Sequence, residues 1–159
     1  MFFKQEPVAI AGLYNWSDAA TPTPDENNSI NLSTTDGWEA YQSVSVVAST
    51  TDFQNGTTCV EVTSLVGSSD ISRLYFTVEI GSTYRLTYWA KNNVGGDGRI
   101  RQGGGWVTNP SDIIFTSTWT EYTVDVEASA TTAYFQFWAT RLGALGNKVF
   151  IDNVTMVKL

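Results

Sequence analysis

The chain has 159 residues, a net charge of −7, 42% hydrophobic and 13% aromatic residues, and no histidine. This length and hydrophobic content predict one globular domain over residues 1–159 and exclude a disordered chain. The acidic balance disfavours nucleic acid and anionic membrane surfaces as partners, because both need a basic footprint. No apolar stretch approaches the ~20 residues of a membrane-spanning helix.

Short alternating runs rich in β-branched and aromatic residues recur along the chain, separated by clusters of Gly, Asn, Asp and Ser. This pattern predicts an all-β fold, an antiparallel β-sandwich of the jelly-roll type. In chain order the predicted strands are residues 7–14, 38–49, 57–65, 71–80, 83–91, 99–107, 119–126, 133–140 and 149–157. Residues 19–37 are rich in Pro, Thr, Asn and Asp and are predicted to form a long loop or an insertion.

Two of these strands carry the candidate ligand-binding side chains. A sandwich strand buries one side and leaves the other open, so alternation predicts Arg85 and Trp89 on the open side of strand 83–91. The same argument predicts Tyr134, Gln136 and Trp138 on the open side of strand 133–140. Rings beside hydrogen-bonding groups on one open face suit a sugar, and an exposed aromatic cluster marks an interaction site in general. The alternative for both tryptophans is a core position.

Trp106 is a further candidate for the ligand site. It follows the glycine run 103–105, which predicts a turn or a bulge at that point. The ring is therefore expected at a strand end or loop tip, where it either borders the ligand face or fills a gap.

Four segments follow one another in the order FQNGTTCVEV (residues 53–62), GSTYRLTYWAK (81–91), TWTEY (118–122) and FIDNVT (150–155). In this order they resemble the jelly-roll carbohydrate-binding modules that accompany xylanases and glucanases, within the galactose-binding-like sandwich fold. The likeness covers most of the chain from Trp38 onward and implies a sandwich that binds a polysaccharide. The same sandwich hosts several functions, so the likeness is more specific for the fold than for the activity.

The resemblance also implies a structural calcium ion. Many such modules hold one between the N-terminal strand, the turn before the second strand and the acidic residue of the closing strand. The corresponding candidates are Asp152, Asp18 and a carbonyl near Asn55 or Gly56; calcium takes six to eight oxygen ligands of this kind. The alternative is that Asp152 bonds backbone amides in a turn.

We expect no enzymatic activity. Without histidine, the Ser-His-Asp and Cys-His arrangements are excluded, and one cysteine without histidine makes a zinc site implausible. Glycoside hydrolysis needs only two carboxylates, and Glu79 and Glu121 lie on predicted strands. Scattered acids on a sandwich are usually solvated, however, and no pattern marks either as buried.

Two hypotheses follow. The first is a non-catalytic, extracellular module that binds a polysaccharide or cell-surface glycan through Trp89 and Trp138. The second is a virion protein, in capsid decoration, a head fibre or a receptor-binding tail component, that uses the sandwich for assembly or host attachment. The second rests on Met1 and on the lack of a secretory signal in the first residues. It predicts homo-oligomers or contacts with other virion proteins.

Overall fold

The computed structural model describes residues 38–54, 58–93, 95–107 and 112–159, and the backbone of residues 14–15. These residues form β-strands and no helix, so the described part of the chain has no helix that could span a membrane. The strands are β1 (Tyr14–Asn15), β2 (Trp38–Gln42), β3 (Val44–Ser49), β4 (Cys59–Ser64), β5 (Asp70–Thr77), β6 (Thr83–Asn92), β7 (Arg99–Gln102), β8 (Ile113–Ile114), β9 (Thr120–Glu127), β10 (Thr132–Thr140) and β11 (Lys148–Lys158).

The strands pair into two antiparallel sheets. Sheet A has the order β3-β4-β11-β6-β9, with β1 beside the end of β11, and sheet B has the order β2-β5-β10-β7-β8. Apart from β3-β4 and β7-β8, the neighbouring strands of these two orders are not consecutive in the chain, which is the connectivity of a jelly roll rather than of a simple meander. The predicted all-β jelly-roll sandwich is therefore confirmed.

Aromatic side chains from both sheets fill the space between them. Phe137 of sheet B contacts Trp38 at 5.1 Å between ring centroids, and Tyr88 of sheet A at 5.7 Å with the rings nearly perpendicular. Perpendicular and tilted rings are the preferred geometries, and each such pair adds about 0.5–1.5 kcal/mol beyond its buried area. All three residues are fully buried, so they mark the inward side of β2, β6 and β10.

The predicted strand 38–49 is in fact two strands in different sheets. Trp38 lies in sheet B and Val44 in sheet A, and Ser43 between them has a φ of 47°. That left-handed conformation turns the chain from one sheet to the other, and alternation of side chains does not reveal it because both halves are extended.

Other boundaries also differ. The predicted strand 71–80 is too long: β5 ends at Thr77, and Ile80 is 61% exposed because the chain turns at Gly81 with a φ of 79°. Of strand 99–107 only Arg99–Gln102 is a strand, and the short β8 was not predicted. Residues 7–13 and 19–37 lie outside the described residues, and one domain over residues 1–159 stays a prediction.

Candidate functional site

The outer face of sheet B gathers polar and aromatic side chains that alternate with the core residues. On β10, Ala133, Phe135 and Phe137 point inward, and Tyr134, Gln136 and Trp138 point outward, as the alternation predicts. The pairing registers place outward residues of the neighbouring strands beside them. These neighbours are Glu39 on β2, Arg73 and Tyr75 on β5, and Arg99 and Arg101 on β7.

Four of these residues form one row across the sheet, which we call the polar row. Glu39 is opposite Arg73, Arg73 is opposite Gln136, and Gln136 is opposite Arg101. Adjacent strands lie about 4.8 Å apart, so the row extends over about 14 Å. Tyr75 and Tyr134 flank it on one side and Trp138 on the other. The face therefore offers hydrogen-bonding groups in the middle and rings at both sides.

Arg73 occupies the first half of the polar row. Its guanidinium carbon lies 3.1 Å from the centroid of Tyr41 and 4.7 Å from that of Tyr134, so it is held by two cation–π contacts. Its Nη1 donates to the Tyr75 hydroxyl at 3.3 Å, and that hydroxyl donates to Glu39 Oε2 at 2.8 Å. These contacts hold the side chain in place before any ligand arrives.

Arg101 occupies the other end of the row. Its Nε and Nη2 donate to the two carboxylate oxygens of Asp112 at 2.7 and 2.8 Å, and its guanidinium carbon lies 5.0 Å from the centroid of the Trp138 ring. The hydrogen bond from Arg101 lowers the pKa of Asp112, partly opposed by burial and supported by the charge of Arg99. Arg101 covers the ring, and Trp138 is consequently only 8% exposed.

The glycine run explains the position of Tyr134. A Cβ atom at Gly103 would collide with the Tyr134 ring, and one at Gly104 would be 3.1 Å from the same ring. The backbones are also paired, since Gly103 N donates to Tyr134 O at 2.9 Å. The run that the sequence marks as a turn thus lets the Tyr134 ring lie against bare backbone.

The structure places Trp106 in the core rather than at the edge of the ligand face. Its ring packs on Phe135 at 5.2 Å, its Nε1 donates to the carbonyl of Tyr134 at 3.0 Å, and it is 8% exposed. An isolated bridge to Ala128 draws this residue inward at the end of the sandwich. The gap-filling alternative therefore describes it correctly.

Trp89 and Arg85 do point outward from β6, but β6 belongs to sheet A. Trp89 is half-buried opposite Glu121 and Asp152, and Arg85 forms a two-pronged ion pair with Asp125. The six candidate ligand residues do not form one site: Tyr134, Gln136 and Trp138 share sheet B, while Trp89 and Arg85 lie on the opposite outer surface of the sandwich.

Of the calcium candidates, the structure describes only Asp152, which is fully buried. Its Oδ2 accepts a hydrogen bond from Gln54 N at 2.8 Å and its Oδ1 accepts one from Asn153 N at 2.7 Å. Asp18, Asn55 and Gly56 lie outside the described residues. In the described part of the chain no three acidic, Cys or His residues come together as a metal site. Both carboxylate oxygens of Asp152 thus accept hydrogen bonds from backbone amides, as in the alternative to calcium.

Several residues of this face were not among the sequence candidates, namely Glu39, Tyr41, Arg73, Tyr75, Arg101 and Asp112. Alternation along β5 puts Arg73 and Tyr75 on its open side, so that signal was present. The alternation did not reveal which strands lie side by side, because β10 pairs with β5 and β7, which are remote from it in the sequence.

Comparison with known proteins confirms the fold. No protein-family model and no curated protein matches the chain. Among solved structures, the CBM22-1 xylan-binding domain of Paenibacillus barcinonensis Xyn10C is similar, with a TM-score of 0.62, 10% identity, and coverage of 89% of this chain and 91% of that one. TmCBM61 in complex with β-1,4-galactotriose has a TM-score of 0.53 and 16% identity, over 77% of this chain and 88% of that chain.

A third similar structure is the enzymatically active domain of bacteriophage CBA120 tailspike protein 4. Its TM-score is 0.54 at 16% identity, and the match covers 77% of this chain but only 19% of the tailspike chain. Identities this low establish the fold and leave the activity open. The chain has the jelly-roll fold of carbohydrate-binding modules, as its sequence motifs indicated.

Proposed function

We propose that this protein is a non-catalytic carbohydrate-binding module whose ligand lies on the outer face of sheet B. The observation that supports this proposal is the polar row, Glu39-Arg73-Gln136-Arg101, flanked by rings. Sugar hydroxyls both donate and accept hydrogen bonds, and this row presents carboxylate, amide and guanidinium groups side by side. The partly exposed rings of Tyr75 and Tyr134, on one side of the row, supply the apolar contacts that a pyranose needs.

The rigidity of the face supports the same function. Ion pairs and ring contacts hold Arg73 and Arg101 in position, so that few side-chain rotations are lost on binding. Gln136 lies between them, and its side chain forms no hydrogen bond with the described residues. It is therefore ready to bond a ligand hydroxyl. Such a module would act outside the cell or on a particle surface, where polysaccharides are met.

A second candidate function is a virion component that attaches to a host-surface glycan. The similarity to a bacteriophage tailspike domain favours it. A virion component would bind sugar on the same face as a carbohydrate-binding module, but it would also have to assemble with further subunits.

Binding to a polysaccharide panel tests the proposed function. Affinity electrophoresis of the purified chain in gels that contain xylan, β-1,4-galactan or other plant and bacterial polysaccharides should show retardation by at least one of them. Sedimentation of the same sample gives its mass. Failure to bind any polysaccharide would contradict the proposal, and glycan binding by a stable trimer or larger assembly would favour the virion component.

Calcium is a separate proposal, in which Asp152 together with Asp18 and a carbonyl of Asn55 or Gly56 holds one structural ion. At a calcium concentration about 100 times the dissociation constant, binding would add about 2.7 kcal/mol of stability. Thermal unfolding should then shift upward by about 5–10 °C relative to a sample in chelator. Asp152→Asn should remove that calcium-dependent difference. Equal midpoints with calcium and with chelator would refute the calcium site.

A further inference from the structure

Arg73 differs from Arg85 and Arg101 in which of its guanidinium nitrogens are bonded. Arg85 and Arg101 both use the Nε/Nη2 edge of the guanidinium to hold the two oxygens of an aspartate, at 2.7–2.8 Å. In Arg73 this edge has no acceptor among the described residues: Nε is buried without a partner, and only Nη1 is bonded, to Tyr75. The nearest carboxylate oxygen, Glu39 Oε2, is 3.8 Å from Nη1, on the opposite edge.

A second donor on the same face is also without a partner. Trp138 Nε1 is buried and lacks an acceptor among the described residues. Buried N–H groups in proteins are nearly always bonded, so each exception calls for an explanation, such as a bound water molecule, an ion or a ligand. Both buried atoms of this face that lack a partner among the described residues are donors. A ligand that satisfies them must bring acceptors.

We propose that the glycan bound by this face is acidic, and that a uronic acid carboxylate of the sugar pairs with the Nε/Nη2 edge of Arg73. This inference rests on the proposed function and specifies its ligand. A carboxylate is the acceptor whose two oxygens match this edge, and a charged pair of this kind is stronger than a bond to a neutral hydroxyl.

Arg73 is better suited to this role than the other two arginines of the face. Asp112 already neutralises Arg101 and also approaches Arg99 at 3.5 Å, and Asp97 pairs with Arg99 at 3.4 Å. A ligand carboxylate at those positions would have to displace a protein carboxylate. At Arg73 it would meet a guanidinium whose Nε/Nη2 edge no protein carboxylate holds. Because Nε is buried, the Tyr41 side chain, which lies over the guanidinium and is 41% exposed, would have to move to admit the ligand.

The test compares each acidic polysaccharide with its own carboxyl-reduced form, so that the chain length and linkages stay the same and only the charge is lost. Polygalacturonate, alginate and hyaluronate are suitable probes, together with neutral xylan and β-1,4-galactan. Isothermal titration should show at least one acidic polymer binding about tenfold or more tightly than its reduced form, which corresponds to one charge-assisted hydrogen-bond pair.

Variants of Arg73 locate the effect. Arg73→Gln should remove the preference for the acidic form, and Arg73→Lys should restore only part of it, because lysine keeps the charge but lacks the two-pronged edge. Arg85→Gln, on the outer face of sheet A, is the matched control and should bind like the parent protein. Circular dichroism would verify that all three variants are folded.

The outcomes separate this inference from the proposed function. If neutral or reduced polymers bind as well as acidic ones, the acidic specificity is wrong and the carbohydrate-binding function stands. If Arg85→Gln loses the preference as Arg73→Gln does, the carboxylate is not at Arg73. If none of the polymers binds, both proposals are contradicted.

Discussion

Replacing Phe137 with alanine should lower the free energy of unfolding by about 3–5 kcal/mol, the range for deleting a large buried aromatic ring. Phe137 is fully buried in the middle of the sandwich. Its ring touches Trp38 within sheet B and Tyr88 in sheet A, so its loss opens a cavity where the two sheets meet. Since domains are typically stable by about 5–15 kcal/mol, this single change would remove a large share of the total.

The expected loss has a matched control in the same chain. Phe53→Ala removes the same side chain from a loop position that is 40% exposed, where substitutions usually change stability by about 0.5 kcal/mol or less. Urea unfolding followed by tryptophan fluorescence measures both variants. Equal losses at the two positions would mean that the layer around Phe137 does not hold the sheets together.

Side-chain alternation predicted which residues of β6 and β10 face inward, and it did so because the two strands are long and regular. Tyr84, Leu86, Tyr88 and Ala90 of β6 are buried, as are Phe135 and Phe137 of β10. A period of two follows directly from the pleat of a strand with one solvated side. This local signal was sufficient to identify the sandwich.

Alternation does not tell which sheet a strand joins, and that limited the prediction of the site. Trp89 and Trp138 have the same outward parity, yet one lies on sheet A and the other on sheet B. The assignment depends on pairing between strands far apart in the sequence. The polar row shows the same limit, since its four residues come from four strands and become neighbours only through the registers of sheet B.

The site on sheet B leads to a prediction that distinguishes the two tryptophans. Trp138→Ala should weaken binding of the polysaccharide retained in the panel by about 30-fold or more, the usual effect of losing an interface hot spot. The Trp138 ring supports the guanidinium of Arg101 from 5.0 Å, so its removal frees one end of the polar row as well as deleting a donor. Trp89→Ala should leave the affinity unchanged, because that ring lies on the opposite surface.

Because Trp138 is only 8% exposed, its replacement by alanine will also lower stability, and Trp138→Phe separates the two effects. Phenylalanine keeps a ring beneath Arg101 but lacks the Nε1 donor, so binding should fall less than in Trp138→Ala while the fold is retained. Titration calorimetry below the unfolding temperature of each variant gives the affinities. If instead Trp89→Ala abolishes binding and Trp138→Phe binds normally, the ligand lies on the outer face of sheet A.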